Sequence, residues 1–426
     1  MASWLLGIWI AVVTVKFGNP VIFSHLLPPP GDFLELFFNS WPISWSYGAM
    51  GILLVAAALL RRGPCPTPRW LLALPMIWLG WTLLSATQAV DPGLTRPTIA
   101  HFAGCVASFC VGAFTLRNVR DWRPIWLGLM VGMTFILATA LDQHFGGLER
   151  TRQHFERLTV EERAGLDTPE FRKKILSDRV FGTFMYPNAL AGGLLLLLPL
   201  AFACVRDLGS RPTTRWLLRG WLAVAGLAAL YWSGSKSGWL IALVMGAAAF
   251  WRLPARFSFK VTVVGCLVVG GVALFMGRYG AYFKKGASSL SARGDYWRAA
   301  GQMIRQRPLL GYGPGTFQRQ YAALKPPEAE MAKLAHNDYL QQGCDSGIPA
   351  LLAYGAFVAG AILLAYRRSA ASALPFAAWL GAFGFAGQGL TEFGLYIPGL
   401  AWPFFLLLGW LFARPLNEID KPPPRS

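Results

Sequence analysis

A chain of 426 residues that is 54% hydrophobic and 14% charged falls outside the range of water-soluble domains, whose charged share is roughly 25%. Its 39 Lys and Arg exceed its 21 Asp and Glu, giving a net charge of +18. These basic residues are dispersed among apolar runs, which points to membrane lipids and excludes nucleic acid as the partner. The 18 Trp fit membrane interfaces, and six cysteines without a CxxC pair exclude a disulfide scaffold.

A helix of about 20 apolar residues crosses a bilayer. In chain order such stretches fall near 3–23, 43–60, 69–89, 98–116, 122–141, 186–205, 215–233, 236–252, 259–277, 347–366, 372–393 and 397–413. No charged residue precedes Trp4 and no small-residue cleavage site closes the first run, so that run is expected as a membrane helix and not as a cleaved signal. The fold class this predicts is all-α: a polytopic membrane protein with about twelve transmembrane helices and two long outer loops containing amphipathic helices. Five helices occupy 1–141, a loop 142–185, four helices 186–277, a larger loop 278–346, three helices 347–413 and a tail 414–426.

Orientation follows from the loops. With the N-terminus inside, the short inner connections and the tail hold eighteen basic residues, from Arg61 and Arg62 through Arg215 and Arg219 to Arg425. The short outer ones hold Arg96 and Lys236 alone. This bias places both termini in the cytoplasm. The two long loops translocate regardless of charge. The first balances eight basic against eight acidic residues, in stretches such as Glu161-Glu162-Arg163 and Arg172-Lys173-Lys174. The second holds ten basic and five acidic residues, with Tyr, Trp and Phe throughout.

Several outer segments can carry chemistry. Asp32 and Glu35 follow Pro28-Pro29-Pro30-Gly31 and are possible metal ligands in too plain a setting to favour that role. Asp178-Arg179-Val180 leads to Tyr186-Pro187-Asn188, where a helix begins, and Lys236 marks another outer corner. Helices starting at 186, 236 and 347 point positive dipole ends outward, where an anion fits; the alternative for each corner is ordinary capping by Asn188, Ser235 or Asp345. Arg293, Trp297, Ala300 and Ile304 share one helical face. Arg293 there either holds a phosphate-bearing ligand or snorkels to lipid headgroups. A glycine-rich turn, Pro308 to Gly315, comes next. Then His336-Asn337-Asp338-Tyr339-Leu340 precedes Gly347-Ile348-Pro349. His336 is either a capping residue or a base that accepts a hydroxyl proton near neutral pH. No Walker lysine loop, dinucleotide glycine fingerprint or HExxH is present.

The ordered set of motifs over roughly residues 179–360 resembles the O-antigen ligase and polymerase family of bacterial membrane glycosyltransferases. The resemblance rests on His336-Asn337-Asp338-Tyr339-Leu340 with Gly347-Ile348-Pro349, on Arg293 with Tyr296-Trp297, on the Gly311-to-Phe317 turn, and on Gly182-Thr183-Phe184 before Pro187-Asn188. It implies a GT-C-type inner-membrane enzyme without metal or other cofactor. Such an enzyme takes a glycan from undecaprenyl pyrophosphate and inverts it onto an acceptor hydroxyl at the periplasmic face. Carried over by position, Arg179 and Arg293 hold the pyrophosphate and His336 is the base, with Asn188, Lys236, Asn337, Trp297, Tyr296 and Tyr339 as substrate-binding candidates. Lys236 departs from the family, which has Arg in that corner, and a point charge replaces a bidentate fork. The compact length favours a ligase whose acceptor is lipid A–core. The alternatives are a repeat-unit polymerase, a protein O-oligosaccharyltransferase and, from another class, a secondary transporter working through intramembrane groups such as Lys16 and His101.

Overall fold

The computed structural model describes residues 1–60, 68–157, 176–208, 211–284, 288–369 and 372–413. Glu161-Glu162-Arg163, Arg172-Lys173-Lys174 and the 414–426 tail lie outside the described residues. Among the described residues there is no strand, and helix is the only regular element. In chain order the α-helices are α1 (Ala2–Lys16), α2 (Phe33–Phe38), α3 (Ser46–Ala58), α4 (Arg69–Ala86), α5 (Pro92–Phe114), α6 (Arg123–Asp142), α7 (Leu148–Arg157) and α8 (Pro187–Cys204). They continue with α9 (Pro212–Ser233), α10 (Lys236–Trp251), α11 (Phe257–Lys284), α12 (Ser288–Gln306), α13 (Phe317–Leu324), α14 (Asp338–Ser369), α15 (Ala373–Gln388) and α16 (Pro398–Phe412).

Among the described residues, six stretches are long and apolar enough to cross a membrane: Arg69–Ala86, Pro92–Asn118, Arg123–Gln153, Pro187–Leu208, Phe257–Gly280 and Asp338–Ser369. Four further apolar helices are shorter. The expected first span is one of these, because α1 ends at Phe17 and Pro20, lacking an N–H, stands before a separate 3-10 turn at Val21–Leu26.

Helices pack as apolar cylinders without a hydrophobic driving force between them in lipid, so close backbone approach carries the association. The α1–α6 crossing is the clearest case. A Cβ added at Gly128 would stand 2.0 Å from the Gly7 carbonyl oxygen, so both residues must lack a side chain. Similar neighbours are α5 with α16, α8 with α15, and α4 with α14. These seal one large apolar core running through Trp9, Trp78, Phe102, Leu196, Phe357 and Trp402. By contrast α11, about 42 Å long at 1.5 Å per residue, packs chiefly against α10 and buries none of its apolar window.

A second, smaller core joins Tyr296, Ala300, Met303, Phe317, Tyr321 and Cys344. It gathers α12, α13 and the start of α14 into one subdomain beside the bundle. The buried face of α12 is Tyr296, Ala299, Ala300 and Met303. Of the four residues expected to share one face, Ala300 lies in this buried face, and Arg293, Trp297 and Ile304 sit at its partly buried edge.

The helix expected from residue 347 begins nine residues earlier. Asn337 caps it, its Oδ1 accepting from the Tyr339 and Leu340 amides at 3.0 and 2.9 Å. At Gly347 (φ 82°) the helix breaks, and the Ile348 amide turns out to donate to Pro308 O at 2.7 Å. Asp345 fastens the glycine-rich turn to this break. Its carboxylate accepts from the Gly315 amide (2.7 Å), Gln341 Nε2 (2.9 Å) and Tyr396 Oη (2.8 Å). A Cβ at Gly347 would lie 2.1 Å from Leu309 O. Gly347→Ala should therefore destabilise the fold, by about 1–3 kcal/mol from the backbone conformation alone, with the clash in addition. Thermal unfolding of detergent-extracted protein checks this, and an unchanged midpoint would show that the turn gives way.

Candidate active site

One end of the bundle brings together the N-termini of α8, α10 and α14 and the C-termini of α9 and α15. Arg179 enters it from the segment before α8. Its Nε donates to Ser233 O at 2.6 Å and its Nη2 to Asn188 Oδ1 at 2.7 Å. Asn188 lies in the first turn of α8 without capping it. Its Nδ2 donates to Glu392 Oε1 at 2.6 Å, and its carbonyl accepts from Gln388 Nε2 at 2.8 Å. At the next corner it is Ser235 that caps, its Oγ accepting from the Gly238 amide at 3.3 Å.

Glu392 is the centre of the arrangement, and sequence reasoning missed it. Its carboxylate is ion-paired with Arg293 Nη2 and stands 3.3 Å from His336 Nδ1. Arg293 is further held by Thr391 O, which accepts from Nε at 3.0 Å. The result is a chain of contacts, Arg179–Asn188–Glu392, that forks to Arg293 and His336. Burial would raise the Glu392 carboxyl. The hydrogen bond from His336, with the Arg293 guanidinium, outweighs burial and holds it below the usual carboxylate range.

The segment bearing Glu392 is held along its length. Gly389 O accepts from the Asp338 amide at 2.7 Å, and Leu390 O from Asn337 Nδ2 at 2.8 Å. The Leu395 amide donates to the Asp338 carboxylate at 3.1 Å, and Leu395 O meets His101 Nε2 at 2.7 Å. His101 thus ties backbone inside the bundle. Lys16 also ties backbone, donating to Phe37 O and Asn39 O at the exposed α2 segment.

His336 is the one non-glycine residue with positive φ (51°) among the described residues. Such a conformation costs about 1–3 kcal/mol and persists where neighbours over-determine it. Here those neighbours are Tyr296, stacked at 5.6 Å, and Phe393, edge-on at 4.7 Å. An imidazole that donates from Nδ1 to Glu392 keeps Nε2 as an acceptor, and about a quarter of this side chain remains exposed. Burial pushes the Tyr296 hydroxyl up to about 12, so it stays protonated.

The remaining expected residues separate. Lys236 stands next to the site with its Nζ 5.0 Å from the Tyr279 ring centroid. Asn337 is occupied as a cap and backbone tie. The Tyr339 hydroxyl donates to Ala386 O at 3.0 Å. Trp297 keeps a buried Nε1 with no partner among the described residues. Asp32 and Glu35 form a local capping pair, Asp32 Oδ1 accepting from the Glu35 amide and Glu35 Oε2 from the Gly31 amide.

The site can bind an anion beside a base. Arg179, Arg293 and Lys236 exceed the single charge of Glu392, and His336 Nε2 can take a proton within reach of them. Residues 221–355 match the family model described as O-antigen ligase. Over that stretch, about a third of the chain, it is thus similar to the O-antigen ligases, a likeness consistent with a membrane glycosyltransferase-like enzyme. The matched stretch holds Lys236, Arg293 and His336 and leaves Arg179, Asn188 and Glu392 outside. No curated protein matches the chain.

Proposed function

We propose, for a chain with this likeness to the O-antigen ligases, that it transfers a glycan from undecaprenyl pyrophosphate to a hydroxyl of lipid A–core. The observation that carries this reading is Glu392, which joins the arginine holding the leaving group to the histidine taking the proton. The acceptor hydroxyl gives its proton to His336 Nε2 while its oxygen attacks the anomeric carbon. The bond from that carbon to the pyrophosphate oxygen breaks, and the electron pair leaves with the pyrophosphate. Attack opposite the leaving group inverts the anomeric centre. Negative charge grows on the leaving oxygen, where fixed guanidinium groups stabilise it without reorganising. Glu392 offsets the positive charge that appears on His336.

In this reading the protein is a multi-pass inner-membrane protein with about twelve crossings, both termini cytoplasmic and the site periplasmic. The charge asymmetry of the short loops supports that orientation. A Cys placed at the exposed Ser289 should react with an impermeant thiol reagent in intact spheroplasts. Reaction only after the inner membrane is opened would reverse the topology.

Because the leaving group meets side-chain cations, no metal is needed. The purified protein, given an undecaprenyl-pyrophosphate-linked glycan and lipid A–core, should turn over undiminished in EDTA. Loss of turnover that magnesium or manganese restores would move the chemistry to an acid-and-metal site such as Asp32 and Glu35.

A further inference from the structure

We propose that Arg278 and Tyr279, near the C-terminal end of α11, join Lys236 in a subsite for a lipid-borne phosphate of the donor. The inference rests on the reading of the neighbouring site as a diphosphate-linked glycosyltransferase centre. Tyr279 is only 8% exposed, yet its hydroxyl is buried with no hydrogen-bond partner among the described residues. A buried hydroxyl left unpaired costs free energy that a bound acceptor would restore. The groups around it are positive. The Arg278 guanidinium lies 5.7 Å from the Tyr279 ring and 5.1 Å from the Tyr231 ring. Lys236 Nζ approaches the Tyr279 ring to 5.0 Å. No carboxylate lies within ion-pairing distance of Arg278 among the described residues. A guanidinium without an acid and an unpaired phenol, gathered beside a lysine, match the donor-only recognition of a phosphate.

Position distinguishes this corner from the arginines already described. Arg293 is neutralised by Glu392, and Arg179 is held by Ser233 O and Asn188. Lys236 follows Ser233 by three residues, so the corner is continuous with that network. Lys236 lies in the combined positive fields of Arg179, Arg293 and Arg278. On its other side is α11, whose apolar window is wholly unburied and so open to lipid. A phosphate on an apolar tail, arriving from the bilayer, meets Arg278 and Tyr279 before it meets Arg179. A phospholipid headgroup has the same chemistry, but the donor alone would extend onward to His336.

Binding of farnesyl diphosphate to the full-length protein in detergent tests the assignment, with phosphatidylglycerol as competitor. Arg278→Ala should weaken binding about ten-fold or more, as loss of a charge-assisted contact does. Tyr279→Phe keeps the ring and should weaken it about three- to ten-fold. Phosphatidylglycerol at equal concentration should not displace the probe. If both variants bind as wild type while Arg179→Lys is impaired, the corner is no part of the site, although the site's reading stands. Displacement by phosphatidylglycerol would make the corner a general headgroup seat and overturn its assignment to the donor. Failure of the wild type to bind farnesyl diphosphate would remove the reading of the whole centre, and this inference with it.

Discussion

Glu392→Gln should lower glycan transfer about 10²–10⁴-fold, the range over which a positioned acid–base group acts. The carboxylate accepts from Asn188 Nδ2 and Arg293 Nη2 and faces His336 Nδ1. An amide has one oxygen and two N–H groups, so at least one of those donors meets another donor. If that donor is His336, the imidazole loses its fixed tautomer, and Nε2 no longer stands ready as acceptor. The negative charge opposite a developing imidazolium also disappears. Glu392→Ala goes further, leaving the 16%-exposed Arg293 side chain without its partner. Removing one member of a buried pair costs about 3–5 kcal/mol, so reduced extraction yield is expected for Ala and a milder loss for Gln. Transfer by Glu392→Gln at wild-type rate, from protein of unchanged thermal stability, would make the carboxylate a structural tie only.

His336→Ala should fall by a similar factor, about 10²–10⁴-fold, but with a different signature. The pyrophosphate cations are untouched, so donor binding should persist while turnover fails. The arginines should behave in the opposite manner, weakening binding and turnover together. Arg293→Ala is a poor test, because it strands Glu392 in a buried place. Arg293→Lys keeps the charge, and should recover turnover only partly since an ammonium lacks the guanidinium fork. Asp338 and Tyr339, the nearest substitutes for a base, are otherwise engaged: the Asp338 carboxylate accepts from the Leu395 amide, and the Tyr339 hydroxyl donates to Ala386 O. Near-normal transfer by His336→Ala would reduce His336 to the capping role open to it in the sequence.

The apolar helices were legible because their signal is local: a long run without charges is costly to leave in water and at home in lipid. Arg179, Arg293, Asn188 and His336 were legible through motif resemblance, and they do meet at one end of the bundle. Glu392 was not. It stands at the end of an apolar run, where a carboxylate adds little to the hydropathy, and its partner His336 is 56 residues away. A signal existed, since an ionisable group beside a membrane span is a functional candidate by default. By the same rule Lys16 and His101 stand out, yet their side chains tie backbone carbonyls instead. The start of α14 was missed for a related reason. Gly347-Ile348-Pro349 reads as a helix beginning, whereas Asn337 caps a helix that passes through a break at Gly347. The Arg278–Tyr279 corner looks in the sequence like the end of one more span. Only folding places Lys236 and Tyr231 around it.

The most direct measurement is the mass of lipid A–core after incubation with purified wild-type protein and an undecaprenyl-pyrophosphate-linked glycan. The account predicts that lipid A–core gains the glycan and that undecaprenyl pyrophosphate is released in equal amount. An unchanged lipid A–core, with the glycan lengthened on its own carrier or moved to a peptide hydroxyl, would contradict it.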